Sequence, residues 1–162
     1  MSDGFQPLRL EQLSTAEGVR ALNDMLETLY NLGSRQSLQY GEATSTSADA
    51  YAAFVDGVLG TATAGIRMHK AGSILGHSVL TDVTTATSGD VTFEVRVNDA
   101  NQAALELEFD SADGTGVASM SRIEPRHSVS FAVGDLISVF MNETGTMVWQ
   151  NTIGFIEVQF DD

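Results

Sequence analysis

The chain has 162 residues and a mass of 17.3 kDa, the size of one domain or of one domain with an arm. It contains no cysteine, which excludes disulfides, thiolate catalysis and cysteine-ligated zinc. Eight Lys+Arg against 22 Asp+Glu give a formal charge of −14, which argues against nucleic-acid and anionic-membrane partners, and no apolar run approaches the ~20 residues of a bilayer span.

Residues 1–13 read as an extended arm. Pro7 and the apolar/polar alternation at Leu8, Leu10 and Leu13, with Phe5 before them, include no turn pair that folds the stretch back. Met1-Ser2-Asp3-Gly4-Phe5 carries neither the basic start nor the apolar stretch of a secretory signal. Ser14-Thr15-Ala16-Glu17 then forms a capping box, with a hydroxyl for the free amide three residues on and a carboxylate that reaches back. The spacing predicts a helix within 14–33, from about Thr15 to Leu32, with Gly33 as its left-handed stop. Val19, Leu22, Leu26 and Leu29 recur at alternating steps of three and four, and Met25 and Leu32 widen the stripe. A rod of roughly 27 Å is marginal in isolation, so this stripe needs cover. Its own domain and symmetry copies of the chain both satisfy that need, and spacing does not separate them.

Residues 34–50 read as a linker, small and polar from Gly41 through Thr46 to Ala50. Over 51–162 the period becomes two, with runs at 51–55, 65–69, 74–83, 91–97, 103–109, 117–123, 128–133, 136–141 and 147–160. Val91, Phe93, Val95 and Val97 face one way and Thr92, Glu94 and Arg96 the other; Leu105, Leu107 and Phe109 alternate with Glu106 and Glu108 in the same manner. Such alternation predicts antiparallel sheets with one wet face. Asp56-Gly57, Ser88-Gly89-Asp90, Asn98-Asp99, Asp113-Gly114, Val133-Gly134-Asp135 and Thr144-Gly145 carry turn chemistry. The fold class is therefore mainly β, an antiparallel jelly-roll β-sandwich preceded by the arm and one α-helix; a closed up-and-down barrel is the competing architecture.

No catalytic set stands out. His69, His77 and His127 are the only histidines; a hairpin around Gly72 brings the first two within range of each other, but their spacing fits polar strand ends better than a metal site. There is no Gly-x-Ser-x-Gly elbow, and Gly57–Gly60 and Gly114–Gly116 lack the lysine and the helix of a phosphate cradle. Asp110–Gly116 has the wrong ligand spacing for a calcium loop, Asn142-Glu143-Thr144 reads as a turn, and Glu106 and Glu108 share a solvent face where both stay inert. The reading is a non-enzyme with no cofactor and no metal.

The later two-thirds resembles a known family. Residues 65–78 carry G-x-x-M-x-x-A-G-S-I-x-G-x-S, residues 87–98 carry T-x-G-x-V-x-x-E-V-x-V-N, and residues 131–139 carry F-x-x-G-D-x-I-x-V. In order and spacing these resemble the jelly-roll domains of bacteriophage virion proteins: capsid decoration (cement) proteins, head fibres and tail-fibre tips, similar in architecture to tumour-necrosis-factor-like trimers. The resemblance implies a homotrimer on the outer surface of a phage head, with the major capsid protein as partner and no nucleic acid, membrane or small-molecule substrate. On that reading Phe5, Leu8, Leu10 and Leu13 anchor the arm on the capsid, and Val19, Leu22, Met25, Leu26 and Leu29 form a helix that contacts the capsid or other copies. Tyr51, Phe54, Met68, Phe140, Met141 and Trp149 are candidates for either core or oligomer contact. The alternative is a fibre tip that grips a host receptor or glycan with exposed aromatics such as Tyr40 or Trp149.

Overall fold

A computed structural model describes residues 19–20, 22–26, 34–42, 44–54 and 65–161. The chain divides into two compact units, Met1–Arg35 and Gln36–Asp162. In the first, residues 19–20 and 22–26 are helical, inside the helix expected over 14–33. The arm 1–13, the capping box, Leu29 and Gly33 lie outside the described residues.

The second unit is built from ten strands among the described residues. They are β1 (Arg35–Glu42), β2 (Ala50–Tyr51), β3 (Ala53–Phe54), β4 (Ile66–Arg67), β5 (Gly72–Val97), β6 (Ala100–Asn101), β7 (Leu107–Asp110), β8 (Gly116–Ile123), β9 (Val129–Phe131) and β10 (Leu136–Phe160). β5 and β10 pair antiparallel along their whole length, from Gly72 opposite Phe160 to Val97 opposite Ile137. This ribbon folds over, so each long strand contributes to two layers. In sheet one the order is β1, the second half of β10, the first half of β5, and β8, with β3 beside β1 and β9 beside the start of β5. In sheet two β2 and β4 lie along the first half of β10, which pairs the second half of β5, which pairs β7 and β6. Alternate strand pairs thus fall in alternate sheets, which is jelly-roll winding. An up-and-down barrel would pair consecutive strands, whereas β10 pairs β2, β4 and β5.

The inward rows of both sheets make one core, with Trp149, Tyr40, Phe93, Ile74, Met141, Met147 and Ile156 all fully buried. Phe93 and Phe109 meet edge to face at 5.9 Å, the geometry favoured by ring quadrupoles.

Three expectations need correction. Residues 35–42 of the expected linker form β1. Only Leu38 and Tyr40 of its eight residues are large and apolar, too few for the alternation to be visible, yet both are buried. Ser88-Gly89-Asp90 and Thr144-Gly145 are not turns but the interior of the ribbon, with Gly89 opposite Gly145 and positive φ at both (79° and 97°). A side chain on Gly145 would come within 2.6 Å of the Ser88 carbonyl oxygen, so only paired glycines let the two strands cross this closely. The run expected at 103–109 starts as a 3-10 turn over Ala103–Leu105 before β7 begins. Asn98-Asp99 is the tight turn its residues suggest, with φ of 50° and 66° between paired Val97 and Ala100.

Candidate interaction surface

The helix presents the first candidate residues. Val19 and Leu26 are 45% and 52% exposed, and Leu22 and Met25 are half-buried, so part of the predicted stripe stays open to solvent. Phe5, Leu8, Leu10, Leu13 and Leu29 lie outside the described residues.

Most of the aromatic and sulfur candidates turn out to be interior. Phe54, Met68, Met141 and Trp149 are buried between the sheets, and Tyr40, offered as an exposed receptor contact, is 1% exposed. Tyr40 comes from β1, the strand hidden in the expected linker. Its ring lies over Gly154, where any side chain would strike it. His77, expected at a polar strand end, is also buried. Its Nδ1 lies 2.8 Å from the Leu105 carbonyl, which can only accept, so that nitrogen carries the proton; Nε2 then accepts from the Tyr40 hydroxyl at 2.6 Å. Burial lowers the His77 pKa to about 4 and raises that of Tyr40. Buried, the pair ties β1 to the 103–105 turn. His69 instead packs at 4.9 Å against Phe160 with the rings tilted by 50°, and His127 stands at φ 67° with its amide donating to Ser73 Oγ. No group of three or more His, Cys, Asp or Glu that could hold a metal occurs among the described residues.

The outer face of sheet two departs from its expected wetness. Glu94 and Thr92, on the polar side of the alternation, are 6% and 8% exposed. Arg96 donates to Glu94 Oε2 through Nε (2.9 Å) and Nη2 (2.7 Å), and its guanidinium lies 4.0 Å above the Phe140 ring. The Tyr51 ring packs on Phe140 at 4.8 Å, and its hydroxyl donates to Asp99, which also accepts from Arg96. Those two hydrogen bonds hold the Asp99 carboxyl below its ordinary range. Two aromatic rings and an ion pair in which two guanidinium N–H groups share Glu94 Oε2 therefore cover the backbone here. The signal was present in the sequence as Tyr51, Glu94, Arg96 and Phe140, but their convergence needs β2, β5 and β10 side by side.

The outer face of sheet one is different in kind. Strand pairing sets Phe155 beside Ser78 and Ser121, Ile153 beside Leu80 and Ser119, and Val117 beside Asp82. Leu80 is 43% exposed, Phe155 41%, Val117 73% and Ile123 85%. The rows between are serine and glycine, and charge appears only at the two ends, Asp82 and Glu157. Of the large hydrophobic residues exposed in the described sandwich, Val133 alone lies elsewhere, in the turn between β9 and β10. Single exposed aliphatics are normal, whereas four exposed apolar residues on one sheet face make that face a candidate interaction surface.

No family model matches the chain, and no curated protein matches it either. Among solved structures it is similar to the PRD1 vertex protein P5, at 14% identity and a TM-score of 0.40, over 79% of this chain and 73% of that one.

Proposed function

We propose that this chain is a structural component of a bacteriophage virion, a decoration protein that sits on the outer capsid surface as a homotrimer and stabilises the head. The observation that carries the reading is the set of three segments resembling phage jelly-roll proteins, each at a position where this fold demands those residues. Met68 is buried, a side chain on Gly72 would collide with the Phe131 ring and the Gln159 carbonyl, and buried Ser73 holds the 127 amide. Gly134 takes φ 90° in the turn before β10, where the Asp135 carboxylate accepts from the Ala132 amide; that bond, with one from Asn98, lowers its pKa. The arm supports attachment: Phe5, Leu8, Leu10 and Leu13 gain more from a groove in the major capsid protein than from water. A charge of −14 keeps a surface soluble at high local copy number. The fibre-tip alternative loses both aromatics offered for it, since Tyr40 and Trp149 are buried.

Quantitative mass spectrometry of purified virions of the phage that encodes the chain tests this. Hundreds of copies per particle support decoration, a few dozen at most support a fibre tip, and absence from virions overturns both. Substituting Leu8→Asp with Leu10→Asp is expected to release the protein from capsids in a sedimentation assay; full occupancy after that change rules out the arm as anchor.

A further inference from the structure

We infer that the buried Tyr40–His77 pair is an acid-sensitive latch: with His77 neutral it holds β1 on the sandwich, and protonation of His77 frees β1 while the other strands stay folded.

The donors and acceptors leave the pair no room to adapt. Nδ1 of His77 donates to the Leu105 carbonyl and Nε2 accepts from the Tyr40 hydroxyl, so both ring nitrogens are committed. A proton taken up in acid can go only on Nε2, the atom that faces Tyr40. Nε2 then donates, and the hydroxyl must turn from donor to acceptor. Its own hydrogen is left without a partner, because His77 is the only side chain it bonds among the described residues. Tyr40 and His77 are each 1% exposed, so one buried contact acquires both a stranded hydroxyl and a charge.

No carboxylate bonds His77 to offset that charge. Opposite it stand Arg122 on β8, itself a cation, and Ile156 on β10. Phe54 of β3 meets the Tyr40 ring edge to face, and the Ala103–Leu105 turn brings no charged side chain. The other charged groups on these elements look elsewhere. Glu106 and Glu108 line an open cleft with Arg122, and Glu106 accepts from Asn101 Nδ2. Arg35 and Glu42 stand at the two ends of β1, Glu42 beside a second cleft, and Glu157 alternates to the side of β10 away from Ile156.

β1 is the element able to yield. His77 sits on β5, which pairs β8, β9 and β10 and cannot leave without taking the sandwich apart. β1 buries only Leu38 and Tyr40 as large side chains, and its pairing with β3 is two residues long, Tyr40 opposite Phe54 and Gly41 opposite Ala53. On its other side it lies along β10 where that strand bulges. There the pairing with β5 skips from Gln150 to Ile153, Asn151 takes φ 52°, and Gly41 passes close to the Thr152 carbonyl. A cleft lined by Tyr40, Gly41, Phe54 and Ile153 opens beside this junction and admits water once Tyr40 moves. β1 is also where the chain passes from the Met1–Arg35 unit into the sandwich, so acid acts on that connection.

Native-state hydrogen exchange on the full-length chain, read by mass spectrometry in peptides covering 35–42 and 91–97, tests the inference. Local opening responds little to dilute urea, whereas global unfolding responds steeply. Residues 35–42 are expected to exchange by the urea-independent route. After correction for the intrinsic exchange rate, their opening is expected to be about 20-fold more frequent at pH 5 than at pH 7, the ratio for a histidine titrating at about 4 when closed and about 6.5 when open. Residues 91–97 are expected to keep the steep urea dependence at both pH values. His77→Gln is expected to abolish the pH response of 35–42, and His69→Gln, at an exposed histidine, to preserve it. Tyr40→Phe keeps the ring without the hydroxyl and is expected to open β1 about fivefold more often at pH 7. Exchange of 35–42 with the urea dependence of 91–97, a full pH response in His77→Gln, its loss in His69→Gln, or unchanged exchange in Tyr40→Phe each overturns the inference.

Discussion

The two outer faces of this sandwich come from the same two strands and could hardly be more different. On sheet two, β5 and β10 present Thr92, Glu94, Arg96, Phe140 and Asn142, and these close over one another until Glu94 is 6% exposed. On sheet one the same strands present Leu80 and Phe155, which are exposed, and Ser78 and Ile153, which are half-buried. Among the described residues, one face is covered by its own side chains and the other leaves apolar side chains exposed. The difference teaches that alternation decides which side of a sheet a residue takes, while cover by neighbours decides whether that side is wet.

The largest expected effect comes from breaking the finished face. Arg96→Ala leaves Glu94 nearly buried with only the weak 3.4 Å contact from Asn142, and uncovers the Phe140 ring. A cost of about 4 kcal/mol is expected in urea unfolding, because an uncompensated buried carboxylate is left behind. Leu80→Ser on the open face is expected to change stability by about 0.5 kcal/mol or less. Similar losses from the two substitutions would mean that the faces are not distinct after all.

How much of this was legible beforehand follows the same division. The alternating runs, the Asn98-Asp99 turn and the Gly134-Asp135 turn state their structure locally, and the sandwich could be read from them. β1 could not, since its two core residues, Leu38 and Tyr40, sit among Gln, Ser and Gly and are recruited by β10 rather than by their own pattern. Gly89 and Gly145 looked like two hairpin ends because turn residues and bend residues are chemically the same; only their pairing tells them apart. The exposed apolar face was the least visible. Leu80, Val117, Ile123 and Phe155 lie up to 75 residues apart, and each sits in a run where an aliphatic residue is expected to face inward. Register put them on one face, and a single sequence carries no register between distant strands.

A second test sets the buried interior against the sheet-two face by pH. Burial holds the His77 pKa near 4 in the folded chain, against about 6.5 unfolded. Between those values the unfolded state binds more protons, so stability rises with pH across this window and is lost as pH falls through it. The full loss is roughly 3 kcal/mol. The sheet-two network titrates lower. Its Asp99 carboxyl is depressed by Tyr51 and Arg96, so its contribution is present above the unfolded value of 3.8 and fades only as pH drops below that. Urea midpoints measured from pH 7 to pH 4 are expected to fall in wild type, and His77→Gln is expected to lower stability at pH 7 while flattening the slope. An unchanged slope in His77→Gln would place the acid sensitivity elsewhere.

A smaller effect than that of His77 concerns the bend that carries one ribbon from the open face to the finished one. Gly145 faces Gly89 at φ 97°, and a methyl group there meets the Ser88 carbonyl oxygen at 2.6 Å and the Gly89 Cα at 3.0 Å. Gly145→Ala therefore combines an unfavourable backbone conformation with a clash, and about 2 kcal/mol is expected. Gly134 supplies the control. Its φ of 90° is similar, but nothing lies within 4 Å of an added methyl group, so Gly134→Ala is expected to cost about 1 kcal/mol from conformation alone. The excess for Gly145 measures how tightly the strands cross. If the two substitutions cost the same, the crossing is loose, and the position at which β5 stops presenting Leu80 and starts presenting Glu94 is set by the sheets on either side rather than by the bend itself.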